Sequence, residues 1–207
     1  AQQYVPEFLD IIIDKNLLCI KNILTPSNQV PLFNGGTEHD LEQFDKFLND
    51  LDYKSKDKKN IIGGIHTFAI KNSAIFFDVG EPPKKGFSKS YQSGPLSFEY
   101  YLDGEKIITN CGFGSNISSK AELLSRLTSA QSTLTLDDTS VTKFERNKLI
   151  NRIFGNSIKN TFKIDNLDLV ENKDQIKFTA SHNGYEKKFG SIHKRELTID
   201  KLNSKLT

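Results

Sequence analysis

Beyond Gly64 the sequence is a succession of short apolar runs broken by turn residues, and this spacing constrains the fold more than any other feature. The runs are "GIHTFAIKN", "SAIFFDVG", "PLSFEYYLDGEKIITNCG", "STLTLDDT", "NTFKIDNLDLVENKDQIKFTASHNGYEKKFG" and "HKRELTID". In "STLTLDDT" Thr133, Thr135 and Asp137 alternate with Leu134 and Leu136, the period of two of a half-buried strand. Lys71-Asn72, Asp103-Gly104 and Asn183-Gly184 fall between runs, and the last two are dipeptides that favour tight hairpins. The predicted class is therefore mainly β, an antiparallel β-sandwich, preceded by a short helical segment.

The first residues follow another rhythm. From Pro6 to about Leu24 the apolar residues cluster at helical spacing, with Pro6 suited to a first-turn position. After "FNGG", Thr37 with Asp40 three residues on can open a second helix, whose stripe is Leu41, Phe44, Phe47, Leu48 and Leu51. The polar stretch from Asp52 to Asn60 reads as a linker. Ser119 and Glu122 form a capping box ahead of "AELLSRL", a short helix inside the β-region. The expected organisation is helices over 1–51, a linker over 52–60 and a sandwich over 61–207. So small a helical piece makes a poor core alone, so it docks on the sandwich or ends a larger helical domain.

Composition excludes several function classes. The 207 residues are 36% hydrophobic and 26% charged, as in folded globular chains. The 28 Lys and Arg nearly balance the 26 Asp and Glu, which argues against a general nucleic-acid binder. Cys19 and Cys111 show neither metal-ligand spacing nor a disulfide framework, so buried free thiols are expected. No apolar run approaches the roughly 20 residues of a membrane span. "AQQYVPEF" lacks the regions of a signal peptide, and the compartment is not legible from it.

Five motifs recur in a familiar order: "PLFNGGTEHD", "AIFFDVGEPP", "GPLSFEYYLDGEKIITNCG", "SAQSTLTLDDTS" and "SHNGYEKKFGSIHKREL". Together, from Pro31 to about Ile199, they resemble the heparinase II/III-like family, in which a helical toroid precedes a large antiparallel β-sandwich. The resemblance implies the last toroid helices followed by the first part of the sandwich, within a longer protein. It also implies a polysaccharide lyase acting on uronic-acid-containing chains by β-elimination. The implied partners are acidic polysaccharide and the toroid of the same protein, and a periplasmic or envelope location would suit them. Such chemistry needs a basic environment for the uronate, a base, and an acid for the leaving oxygen.

Two positions depart from the family's pattern. Relatives carry His where this chain has Gln92 in "SYQSGPLSFE", and read "AHSTL" where it has Gln131 in "SAQSTL". Glutamine keeps hydrogen-bonding reach but neither titrates near neutrality nor binds divalent metals well. Gln92 and Gln131 are thus expected to bind sugar hydroxyls without serving as acid, base or metal ligand, and no cofactor or metal is expected. A non-catalytic carbohydrate-binding homologue and a purely structural domain remain open alternatives.

His39, His66, His182 and His193 lack HExxH or HxH spacing. His66 reads as a structural residue, whereas His193 matches a recurring His-x-Arg segment of the family and is the one weak catalytic candidate. Arg195 shares its strand face, and Arg126 ends the helix leading to Gln131. Tyr91 beside Gln92 completes the substrate-binding candidates. Lys84, Lys85 and Lys89 form a loop that could attract a polyanion. Neither Asp137-Asp138 nor Glu171 with Asp174 reads as an acid/base dyad, which disfavours glycosidase chemistry.

Overall fold

The computed structural model describes residues 6–38, 42–52 and 61–207. Among the described residues nine strands form two antiparallel sheets, each a meander in chain order. The first contains β1 (Ile61–Ile62), β2 (Ile65–Ile70), β3 (Ser73–Asp78), β4 (Phe98–Leu102) and β5 (Glu105–Ile108). The second contains β6 (Ile164–Glu171), β7 (Gln175–His182), β8 (His193–Asp200) and β9 (Lys205–Leu206). The mainly β sandwich expected from the spacing is what forms.

Alternation explains how the sheets meet. Ile75, Phe77 and Tyr100 of the first sheet pack against Ile176, Phe178, Ala180, Leu197 and Ile199 of the second. Every residue of β3 is buried, because its other face also meets a cover. Ala74 and Phe76 pack there with Tyr101 and with Phe33, which arrives from the "PLFNGG" segment. Between β4 and β5, Asp103 and Gly104 have φ of 52° and 84°, the primed geometry that matches strand twist in two-residue hairpins.

The helices are α1 (Glu7–Ile23), α2 (Glu42–Asp50), α3 (Ser119–Ser125), α4 (Lys148–Phe154) and α5 (Glu186–Phe189). Helix α1 buries no residue and exposes Phe8, Leu9, Ile11, Ile12 and Ile13. On α2 Leu48 is buried, while Phe47 and Leu51 are exposed, so the expected stripe is only partly covered. His39, Asp40, Leu41 and most of the 52–60 linker lie outside the described residues.

Several local expectations are corrected. "STLTLDDT" is not a strand: Leu136 and Thr139 make an isolated bridge around Asp137 and Asp138, whose φ values are 49° and 47°. Two successive positive φ values turn the chain back at once, and carboxylate residues tolerate that conformation better than most. Asn183-Gly184 does not close a tight hairpin, because α5 lies between β7 and β8. The cap of α3 is Ser118, whose hydroxyl accepts from Ala121 N, rather than Ser119. Helix α4 lies outside the expected elements, although Asn147 caps its start and Gly155, at φ 66°, ends it.

Candidate functional site

The long connection from β5 to β6 carries α3 and α4 and folds with residues 88–97 into a platform beside the sheets. Gln92 and Gln131 meet in this platform. Gln92 Nε2 donates to Gly112 O and Ser125 O, both at 2.9 Å, and its Oε1 accepts from Gly35 N at 3.0 Å. Gln131 Nε2 donates to the same Ser125 O at 2.7 Å. One carbonyl at the end of α3 therefore gathers both amides. Space is tight around them: a Cβ on Gly94 would lie 3.0 Å from Gln131 Cγ. Gln92 is 2% exposed and Gln131 8%.

Arg126, the residue after α3, is fully buried. Its Nε donates to Tyr91 O, its Nη1 to Asn156 O and its Nη2 to Ser88 O, and its guanidinium lies 4.2 Å from the centre of the Phe144 ring. Burial lowers its pKa to about 10, with Glu122 opposing the shift, so the group stays cationic at neutral pH. Its donors thus join two separate segments, Ser88 to Tyr91 and Asn156, to the end of α3. Tyr91 is buried in the same platform with Val141, Phe144, Ile158, Phe162 and Tyr185, and burial raises its phenol.

The histidines pair in a way their sequence positions do not announce. His182 on β7 and His193 on β8 stand opposite each other, with His182 Nε2 3.0 Å from His193 Nδ1. Gly184 N donates to His182 Nδ1, which must therefore be an acceptor. In neutral His182 the proton then sits on Nε2 and is donated to His193, which fixes both tautomers. Burial pushes His182 down to about 3, with the neighbouring His193 and Arg195 adding to it. His193 falls to about 4 through burial and Arg195. Arg195 donates to Leu96 O and Ser132 O and lies over Phe98, tying the second sheet to the first. His66 faces Phe178 edge-on, and neither ring nitrogen has a hydrogen-bond partner.

Further polar residues join the platform that sequence reasoning did not single out. Asn34 donates to Asp78 Oδ2 and accepts from Gln92 N, while Gly80 N donates to Asp78 Oδ1. Burial raises the Asp78 carboxyl to about 7 against those two bonds. Glu99 accepts from Leu32 N, Thr109, Asn110 N and Tyr101 and is fully buried. These residues belong to quoted motifs, yet only the fold shows which backbone groups they serve. Among the described residues no cluster of three or more His, Cys, Asp or Glu is placed to hold a metal ion. A cleft of about 850 Å³ opens at the outer side of the platform, between α3 and α4.

Residues 60–207 match the family model described as Heparinase II/III-like, C-terminal. No curated protein matches the sequence. Among solved structures, the fold resembles the heparan sulfate lyase HepC from Pedobacter heparinus, with a TM-score of 0.63 at 17% identity over 95% of this chain and 31% of that one. A heparinase III gives 0.64 at 15% identity over 94% of this chain and 31% of its own. Another heparinase III gives 0.53 at 11% identity, over 94% and 33%. The chain thus spans about a third of the length of these structures. The match over 60–207, joined to the two-sheet architecture, makes this chain a member of the heparinase II/III-like family, carrying its C-terminal domain.

Proposed function

We propose that this chain is the sandwich part of a polysaccharide lyase that cleaves uronic-acid-containing chains by β-elimination, with the proton chemistry supplied from outside the sandwich. Elimination removes the proton beside the uronate carboxylate, breaks the neighbouring carbon–oxygen bond and leaves a carbon–carbon double bond. A base must take that proton, and an acid must protonate the departing oxygen. The observation that carries the reading is the convergence of Gln92 and Gln131 on Ser125 O. Their amides cannot exchange protons near neutrality, and their hydrogen bonds are made within the chain.

In this reading Gln92, Gln131, Arg126, Tyr91 and Arg195 are positioning residues. They hold the platform that faces substrate, and His193 is kept neutral by burial and Arg195 rather than poised as an acid. The exposed apolar residues of α1 support a partner helical domain over the 1–51 side, with 61–207 as the sandwich. Family membership and likeness to heparan sulfate lyases support an acidic polysaccharide as substrate. The neutral amides favour one alternative, a homologue that binds such chains without cutting them.

The test is the ultraviolet absorbance of the unsaturated uronate product, using the whole protein and a panel of uronic-acid polysaccharides. Product that persists in a His193→Gln variant supports catalysis from outside the sandwich. Loss of product in that otherwise stable variant would return the proton chemistry to the histidine pair. Absence of product across the panel, with binding retained, would establish the binding homologue instead.

A further inference from the structure

The cleft between α3 and α4 has an amphipathic build that the glutamine platform lacks. One wall is Leu123, Leu124 and Leu127, the first two 43% and 50% exposed. The lining also carries Lys143, Arg146 and Lys159. Its volume of about 850 Å³ lies within the roughly 300–1,000 Å³ of ligand sites.

These cations are not equivalent. Glu145 takes Lys159 at 3.1 Å and Lys85 at 3.8 Å, and also accepts from Arg146 N and Asn147 N. Its carboxyl is held below the usual carboxylate range, chiefly by the Asn147 N–H. Lys159 is therefore committed to Glu145. Lys143 and Arg146 are exposed and make no side-chain hydrogen bond or ion pair among the described residues. Asp138, the other lining carboxylate, leaves the two cations in excess.

We infer that this cleft is an anion-selective saccharide subsite, in which Lys143 and Arg146 hold the carboxylate or sulfate of an acidic sugar while Leu123 and Leu124 pack on its carbon-bearing face. The site rests on the reading of acidic polysaccharide as ligand. Apolar side chains suit the carbon-bearing face of a sugar ring, and a guanidinium with an ammonium suits an oxyanion. Arg126 packs against the ring of Phe144, a lining residue, and so links the buried platform to the cleft.

The experiment is calorimetric titration of the whole protein with heparan sulfate oligosaccharides, alongside carboxyl-reduced and desulfated forms. Lys143→Ala with Arg146→Ala should weaken binding by about tenfold to a hundredfold and reduce its salt dependence. Leu124→Glu, which sets a carboxylate on the apolar wall, should weaken it comparably without touching the cations. Lys177→Ala, whose partner Glu196 lies on the second sheet, serves as the remote control and should bind as the parent does. Loss of affinity with one of the two modified oligosaccharides identifies the anion that is read. Unchanged affinity in the cleft variants, or no binding by the parent, would overturn the subsite. Elimination assayed on the same samples separates the two ideas: product with unaltered affinity in the variants defeats the cleft alone, and affinity without product defeats the lyase reading alone.

Discussion

The space between the sheets and the platform beside them are both closed to water, yet they are held by different forces. Between the sheets, Ile75, Phe77, Phe178, Leu197 and their neighbours contribute area removed from water, which is non-directional. In the platform, Arg126, Gln92 and Gln131 point polar side chains at particular backbone carbonyls, which is directional and leaves little tolerance. Apolar layers define a fold class that many sequences can satisfy. Amide and guanidinium contacts define the course of a particular loop.

The largest expected effect tests the apolar side. Phe178→Ala should cost about 4 kcal/mol, because a large ring is lost from a layer sealed on both sides, as read by denaturant unfolding. Arg126→Leu should cost about 3 kcal/mol by leaving the carbonyls of Ser88, Tyr91 and Asn156 without their donor, and Arg126→Lys should recover little. A loss below about 1 kcal/mol would mean that water replaces the guanidinium and that the platform is not directional. Gln92→Leu should cost about 2 kcal/mol and raise amide exchange at Gly35, whose N–H loses its acceptor.

Smaller effects sharpen the contrast from within each region. His66→Leu should stabilise the protein by about 1 kcal/mol, because both imidazole nitrogens are buried without partners beside Phe178. The last concerns pH. His182 and His193 have folded values below the ordinary 6.5, so the native state favours their neutral forms. Their contribution is full above about pH 6.5 and is lost as pH falls towards the folded values of about 4 and 3. Urea midpoints should therefore drop through that interval, and drop less steeply in the His182→Gln, His193→Gln double variant. Asp78, raised to about 7, acts in the opposite sense, so the comparison of variant with parent isolates the histidines.

Most of the strand order was legible because apolar alternation and turn dipeptides report local geometry. Asp103-Gly104 turns where its chemistry says it should. Alternation misled at Leu134 and Leu136, since a pattern of two also suits a loop whose leucines serve a bridge and a surface. Asn183-Gly184 misled because a helical turn was inserted beside it, a choice made by the packing of Tyr185 and Phe189. At the candidate site, Gln92 and Gln131 were conspicuous as residue types, but their shared acceptor was hidden. Ser125 O is a backbone atom, and no pattern of side chains can announce it. The His182 and His193 pairing was likewise invisible, since it depends on the register of β7 against β8.

The meander order of the two sheets has a consequence for how the chain reaches this state. Each sheet is built from strands that are neighbours in sequence, so each can zip from its own turns at small loop-closure cost. Joining them is another matter, because the tie from Arg195 to Leu96 O spans 99 residues and encloses the long connection from β5 to β6. By loop-closure entropy the pairing across the two sheets is a costlier closure than any hairpin within them, and its cost is set by the length of the connection rather than by the strands that give the domain its shape.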